Sequence, residues 1–237
     1  QHDPRFSKRV DEMTGFTTKS LICLPLKVQD SVIGAIEIVN PEDPSLFEES
    51  SMPVLSFLAD YVSIAITNAR NHMRIQALAV TDDVTGFYNS RFLHDYLEKL
   101  LQQDQVVSLA FLDLDDFKKV VDTYGHLMGS KMLREVAVVI ASQLDCDDRL
   151  VRYGGDEYVI IMPAQDKQSA VEKMKDILQG ISQTSFLQSE GFEIKITASC
   201  GIASYPQDAG DMVELLQMAD GSLYSSKELG KNSITAA

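Results

Sequence analysis

Two acidic clusters in this chain could do metal-assisted chemistry. The first is Asp156-Glu157, within Arg152-Tyr153-Gly154-Gly155-Asp156-Glu157-Tyr158. β-type runs on either side of Gly-Gly-Asp predict a hairpin with the acidic pair at its tip. Adjacent carboxylates on a tight turn repel each other, and a divalent metal would relieve that repulsion. The second cluster is Asp113-Leu114-Asp115-Asp116, which closes the apolar run 106–112, a buried strand by composition. A carboxylate ending a central strand and facing one from a hairpin of the same sheet makes a hard oxygen site suited to Mg2+. Basic side chains nearby suit a polyphosphate that shares the metal. The backbone N–H groups of Asp116, Phe117 and Lys118 open a predicted helix and could cradle phosphate. Lys227 and Lys231 stand four apart on the predicted last helix, which puts them on one face. Without a motif around them, such lysines would be ordinary solvated side chains.

The elements that must position these groups follow the hydrophobic pattern. A helix is expected from residue 90, with Phe92, Leu93, Tyr96, Leu97 and Leu100 inward. The strand 106–113 follows, then a helix over 117–124 broken at Gly125-His126, and a longer helix over 128–144. The hairpin, a helix over 167–183, a long strand over 192–204 and a last helix over 212–229 complete the order. This β-α-α-β-β-α-β-α alternation predicts an antiparallel-containing sheet covered by helices, an α/β (α+β) fold. Upstream, 20–28 and 32–40 read as a strand hairpin, with Pro25 indicating an edge. Residues 53–79 read as one long helix. Its Leu55, Leu58, Val62, Ala65, Ala69, His72 and Gln76 recur at steps of three and four, a coiled-coil seam.

Composition sets outer limits. The chain has 237 residues and a formal net charge of −14. That charge argues against nucleic acid as a partner, because a phosphate backbone needs a basic face. It does not exclude an anionic nucleotide in a cleft where metal and local lysines reverse the field. No apolar run approaches the ~20 residues of a membrane helix, and no N-terminal signal pattern is present. Cys23, Cys146 and Cys200 have no metal-ligand spacing and suit buried thiols in a reducing cytoplasm.

The segment Gly154-Gly155-Asp156-Glu157-Tyr158 resembles the signature of the GGDEF nucleotidyl cyclases, with Tyr158 for the family's Phe. Further blocks match in order: Thr81-Asp82-Asp83-Val84-Thr85-Gly86-Phe87-Tyr88-Asn89; Asp113 to Gly129, with Phe117-Lys118, Asp122 and Gly125-His126; Ser199-Cys200-Gly201-Ile202-Ala203; and Ala219-Asp220, Leu223-Tyr224, Lys227, Gly230-Lys231-Asn232. The resemblance implies a palm-like, adenylyl-cyclase and ferredoxin-like catalytic domain with a βααββαβ-type sheet over 81–237. It implies condensation of two nucleoside triphosphates into a 3′,3′-cyclic dinucleotide, on Mg2+ or Mn2+. By resemblance Asp113 and Asp156 are metal ligands, joined by the Leu114 carbonyl. Glu157 is the ligand or base at the ribose 3′-hydroxyl, and Lys227 and Lys231 meet the outer phosphates. Arg152 is expected as a further cation of the phosphate site. Residues 1–52 resemble the C-terminal part of a GAF sensor domain whose first half is missing, with 53–80 as a signalling helix. Because one half-site holds one triphosphate, a homodimer through that helix is expected.

Departures from the family refine the expectation. Where relatives read guanine with Asn and Asp, this chain has Val121 and Ser130. An ionised Asp accepts from the N1–H and N2–H groups of guanine, whereas a serine hydroxyl can donate or accept and so serves either purine. The serine resembles the hybrid promiscuous branch, which implies GTP and ATP as joint substrates and cyclic GMP–AMP as product, with cyclic di-GMP beside it. The alternatives are a plain diguanylate cyclase and a catalytically weak nucleotide-binding signalling domain. The product-binding inhibitory motif Arg-x-x-Asp is degenerate here: Asp145 replaces its Arg and Asp148 remains, which predicts weak product inhibition. The extra hydroxyl of Tyr158, if buried, needs a partner.

Overall fold

The structure is a computed structural model that describes residues 9–43 and 48–237. The chain forms two compact units, Gln1–Gln76 and Ala77–Ala237.

In the first unit, helix α1 (Arg9–Thr14) precedes strands β1 (Leu21–Val28) and β2 (Ser31–Val39), which pair antiparallel as the expected hairpin. Asn40 ties its open end: the side-chain oxygen accepts from the Lys19 and Ser20 N–H groups, and the amide donates to the Thr17 carbonyl. Helix α2 (Met52–Val80) follows. Residues 44–47 of the expected GAF-like pattern lie outside the described residues, as does the side chain of Gln76.

Two expectations change in α2. Leu55 and Val62 of the anticipated seam pack with Ala59 and Ile66 against Ile22, Leu24 and Leu26 of β1. Leu58, Ala65, Ala69 and His72 of the seam do face solvent, and beside Leu58 the large exposed apolar side chains are Val54, Phe57, Tyr61 and Ile64. The helix carries two apolar faces, and a single three-four count merged them. By length and composition alone, the span Glu49–Val80 is also apolar enough to cross a membrane, contrary to the sequence expectation. The expectation counted uninterrupted apolar residues, whereas an average over the helix tolerates scattered polar ones. Its inner face packs on β1.

The second unit is a sheet of six strands in the order β3-β5-β6-β4-β7-β8. The strands are β3 (Tyr88–Asn89), β4 (Val107–Leu114), β5 (Arg149–Gly154), β6 (Glu157–Pro163), β7 (Ala198–Tyr205) and β8 (Ile234–Ala236). The helices are α3 (Ser90–Leu101), α4 (Phe117–Ala141), α5 (Lys167–Gln183) and α6 (Met212–Glu228). β4 is buried along its whole length and pairs antiparallel with β6 and with β7. Helices cover both faces. One core joins α4 and α5 to the sheet around Leu112, Tyr158 and Ile160. The other joins α3 and α6 to it around Leu93, Leu109 and Leu215.

The α/β expectation holds, with local differences. Gly125 (φ 83°) kinks α4 where a break was expected, and the helix ends at Ala141 rather than near 144. The expected long strand over 192–204 is shorter, because residues 192–197 pair only through a bridge between Phe186 and Ile194. The edge strands β3 and β8 carry too few residues to show a period-two pattern. Tyr158 is fully buried and its hydroxyl donates to the Leu133 carbonyl at 2.7 Å, the partner its burial requires.

Gly201 of β7 decides how near α6 can come. A Cβ there would stand 2.1 Å from the Leu223 nitrogen and 2.2 Å from the Ala219 carbonyl oxygen. These are backbone atoms and cannot rotate away. Gly201→Ala is therefore expected to push α6 outward, with a loss of ~2–3 kcal/mol in denaturant unfolding. An unchanged midpoint would contradict this packing.

Candidate active site

Asp113 lies near the end of β4, directly opposite Glu157 of β6 and Ser199 of β7. Asp156 forms the tip of the β5–β6 hairpin, and its carbonyl accepts from the Leu114 N–H. Like charges directly opposite in a sheet destabilise it, so this arrangement needs a cation. Part of it comes from Lys227 on the last turn of α6, whose Nζ is 2.8 Å from Asp113 Oδ2. The helix is held at that depth by Gly201 and by Ser226, whose hydroxyl donates to the Cys200 carbonyl.

The electrostatics show the shortage of positive charge. Burial lifts the Asp113 carboxyl above its ordinary range, Lys227 opposes the lift, and Asp156 and Asp115 add to it. Burial and then repulsion from Asp113 lift Glu157 as well, with Lys227 again the opposing cation.

One cleft of about 250 Å3 collects Asp113, Leu114, Asp115, Asp116, Phe117, Lys118, Asp156, Lys227 and Lys231. The structure thus brings together the acids, the helix-opening backbone and both lysines. Glu157 stands beside them, within electrostatic reach of Asp113 and Asp156. Asp116 opens α4 in the left-handed conformation (φ 57°). The Lys119 N–H donates to the Asp116 carbonyl, whereas those of Phe117 and Lys118 at the helix start suit an anion.

Lys231 arrives by a different route than expected. α6 ends at Glu228, so the two lysines do not share a helix face. Gly230, Lys231 and Asn232 have φ of 117°, 67° and 46°. The left-handed turn that Gly230 permits returns the Lys231 N–H to the Ser226 carbonyl at 3.3 Å. Lys231 Nζ then sits 2.9 Å from Asp116 Oδ1. That turn is pinned by Asp115, a member of the acidic cluster with no expected role of its own. Its buried carboxylate accepts from the Thr197 and Ser199 hydroxyls and from the Asn232 N–H.

Arg152, expected as a cation of the phosphate site, does not line this cleft. Its guanidinium donates to both oxygens of Asp82 and to the Gly155 carbonyl. It braces the hairpin tip to the turn that follows α2. Burial works against ionisation of Asp82, yet the Thr85 bonds and Arg152 hold it below its ordinary range. Nothing in the sequence linked the two partners of this brace, since an Asp and an Arg seventy residues apart have no local pattern.

Val121 and Ser130 line a second pocket of about 210 Å3 with Phe117, His126, Gly129, Leu133, Arg152, Gly155 and Asp156. It shares Phe117 and Asp156 with the first cleft. A Cβ on Gly129 would lie 3.0 Å from Val121 Cγ2, so the glycine keeps this space open.

Asp145 and Asp148 are both engaged by Lys173 of α5. Asp148 also accepts from the Asp145 N–H at 3.0 Å and from Gln165 Nε2 at 2.9 Å. Of the cysteines, Cys23 and Cys146 are exposed, contrary to expectation, because each falls on an outward position. Cys200 is buried, which pushes its thiol pKa up.

Among the described residues, no three His, Cys, Asp or Glu side chains close into a ready-made metal cage. A strand-end acid whose carboxyl is lifted by burial, with a second acid at the hairpin tip on the same cleft, nevertheless fits a hard divalent cation that takes its other ligands from phosphate and water. Asp113, Asp156 and the Leu114 carbonyl would hold it, with Glu157 alongside.

The raised Glu157 carboxyl has a testable sign. Its folded value exceeds its unfolded one, so its contribution to stability is present at acid pH and is lost as pH rises through the folded value. Without added metal, Glu157→Gln should raise Tm by ~2 °C near about pH 8. The gain should fade towards about pH 4, where wild-type Glu157 is itself protonated. A lower Tm than wild type at the alkaline end, by calorimetry, would contradict the electrostatics.

Comparison with known proteins places the chain in a family. The family described as "Diguanylate cyclase, GGDEF domain" matches residues 79–233, and the GAF domain family matches residues 1–66. The bifunctional diguanylate cyclase/cyclic di-GMP phosphodiesterase MucR of Pseudomonas aeruginosa is 36% identical over 173 residues, 71% of this chain and 25% of that protein. Diguanylate cyclase A of Treponema denticola is 27% identical over 228 residues, 93% of this chain and 60% of that protein. The crystal structure of the coiled coil and GGDEF domain of DgcB from Caulobacter crescentus, in complex with c-di-GMP, superposes with a TM-score of 0.71 at 28% identity. It covers 78% of this chain and 99% of that one. The chain spans only about a quarter to a third of the length of the curated relatives it matches at highest identity. With most of its residues inside the matched segment, this chain belongs to the GGDEF diguanylate cyclase family, and a GAF-family segment precedes the GGDEF domain.

Proposed function

We propose that this chain is a dinucleotide cyclase that joins two GTP molecules into cyclic di-GMP and releases two pyrophosphates. One observation carries it: Asp113 and Asp156 border the same cleft as Lys227, Lys231 and the open first turn of α4. Relatives named diguanylate cyclases support GTP as the substrate. Mg2+ or Mn2+, when bound, neutralises the reacting phosphate and lowers the pKa of the attacking 3′-hydroxyl. The residues around it divide the remaining work. Lys227 and Lys231 bind the outer phosphates as point charges, and the N–H groups of Phe117 and Lys118 orient them. Glu157, with its raised pKa, accepts the hydroxyl proton. The Asp82–Arg152 brace keeps Asp156 in place.

The cleft takes one triphosphate, so two copies must face each other. The solvent-facing stripe of α2, from Val54 to Ile64, is the surface we assign to that homodimer. Proximity of the two half-sites then becomes the controlled quantity. A GTP-consuming enzyme of this kind is proposed to act in the cytoplasm.

The expectation of cyclic GMP–AMP as the main product gives way to cyclic di-GMP, because the named cyclase relatives are diguanylate cyclases. A mixed product remains the second reading, on a specific observation. Ser130 and Val121 line the pocket beside the reaction cleft, and neither brings a carboxylate to read guanine.

Product identification by mass spectrometry tests both. With Mg2+ and GTP alone, cyclic di-GMP is expected. Asp156→Ala should lower its formation on the order of 100-fold or more while leaving the fold intact. With GTP and ATP together, any cyclic GMP–AMP should fall on the order of tenfold in Ser130→Asp. Absence of dinucleotide product under all conditions would defeat the proposal. Because Lys173 already holds Asp145 and Asp148, added cyclic di-GMP should leave the initial rate within about twofold. Strong inhibition that Asp148→Ala removes would contradict the degenerate site.

A further inference from the structure

Lys227 bears on more than phosphate. Its ammonium lies on Asp113 Oδ2 at 2.8 Å, the oxygen set that a cation in this cleft would need. The Asp113 side chain is 12% exposed and that of Lys227 is 37% exposed. The acid is fixed in the sheet, whereas the lysine stem has room to swing. The backbone that carries it does not: Gly201 and the Ser226–Cys200 bond set the depth of α6. A divalent charge and an ammonium cannot share one carboxylate without repulsion. Lys231 makes the parallel arrangement on Asp116, 2.9 Å away on the same cleft. A triphosphate entering between them offers both ammoniums better acceptors than a single carboxylate each.

We infer that Lys227 is a resident counter-ion of Asp113 that a divalent cation must displace, and that nucleotide phosphate draws it away. Metal and nucleotide therefore enter the cleft together, and metal alone is held weakly. Lys227 is in this sense a positioning residue for the metal site as well as a phosphate contact. The inference rests on the cyclase reading above and adds to it a coupling between two ligands.

Mn2+ binding to the full chain, followed by the electron paramagnetic resonance of the free ion, tests it without turnover. The nucleotide probe is 3′-deoxy-GTP, which lacks the attacking hydroxyl, with a correction for Mn2+ held by free nucleotide. Lys227→Met should bind Mn2+ alone on the order of fivefold more tightly than wild type. Lys227→Arg, which keeps the charge, should stay near wild type. The gain in Mn2+ affinity on adding 3′-deoxy-GTP should be larger in wild type than in Lys227→Met. Equal or weaker Mn2+ binding by Lys227→Met would overturn the inference, as would equal tightening in the Arg variant, since charge would then not be the cause. Either result, with nucleotide-dependent Mn2+ binding intact in wild type, leaves the cyclase reading standing. No Mn2+ binding by any of the proteins, even with 3′-deoxy-GTP, would overturn both.

Discussion

Mutual repulsion among Asp113, Asp156 and Glu157 is the constraint around which the second unit is built. A β-ladder places two of them opposite each other, and a hairpin tip adds the third. Left to themselves, such groups would protonate or pull the strands apart. The chain keeps them close by surrounding them with groups that cannot retreat. Burial raises the cost, and one ammonium offsets only part of it. The deficit is what makes the cleft receptive to further positive charge and, through that charge, to phosphate.

The rest of the architecture can be understood as support for that crowding. Gly201 lets α6 lie against β7 closely enough for Lys227 to reach Asp113. Asp115 spends its carboxylate on Thr197, Ser199 and Asn232, which fixes the turn that delivers Lys231. Arg152 ties the hairpin tip to Asp82 and so to the turn just after the long helix. A displacement of that turn would be felt at Asp156 through two hydrogen-bonded side chains rather than through loose packing.

Much of this was visible in the residues, and what was not had physical causes. The buried strand ending in Asp113 and the Gly-Gly hairpin carrying Asp156 announce themselves locally, through apolar runs and turn chemistry. So do α3, α5 and α6, whose apolar periodicity is regular. Lys227 and Lys231 were paired correctly but for the wrong reason, since the helix stops between them and a left-handed turn restores their proximity. Asp82 with Arg152, and Lys173 with Asp145 and Asp148, are long-range ion pairs and leave no spacing to read. In α2 the apolar residues were evident, but which of two faces met β1 depended on a sheet that the helix pattern does not encode.

The most direct test of a cation-deficient acidic cleft is to see where a cation goes. Crystals grown with Mn2+ and 3′-deoxy-GTP should show an anomalous peak between the carboxylates of Asp113 and Asp156, with the Lys227 ammonium moved onto phosphate. A peak elsewhere, or nucleotide bound with Lys227 still on Asp113 and no metal between the two acids, would contradict the account.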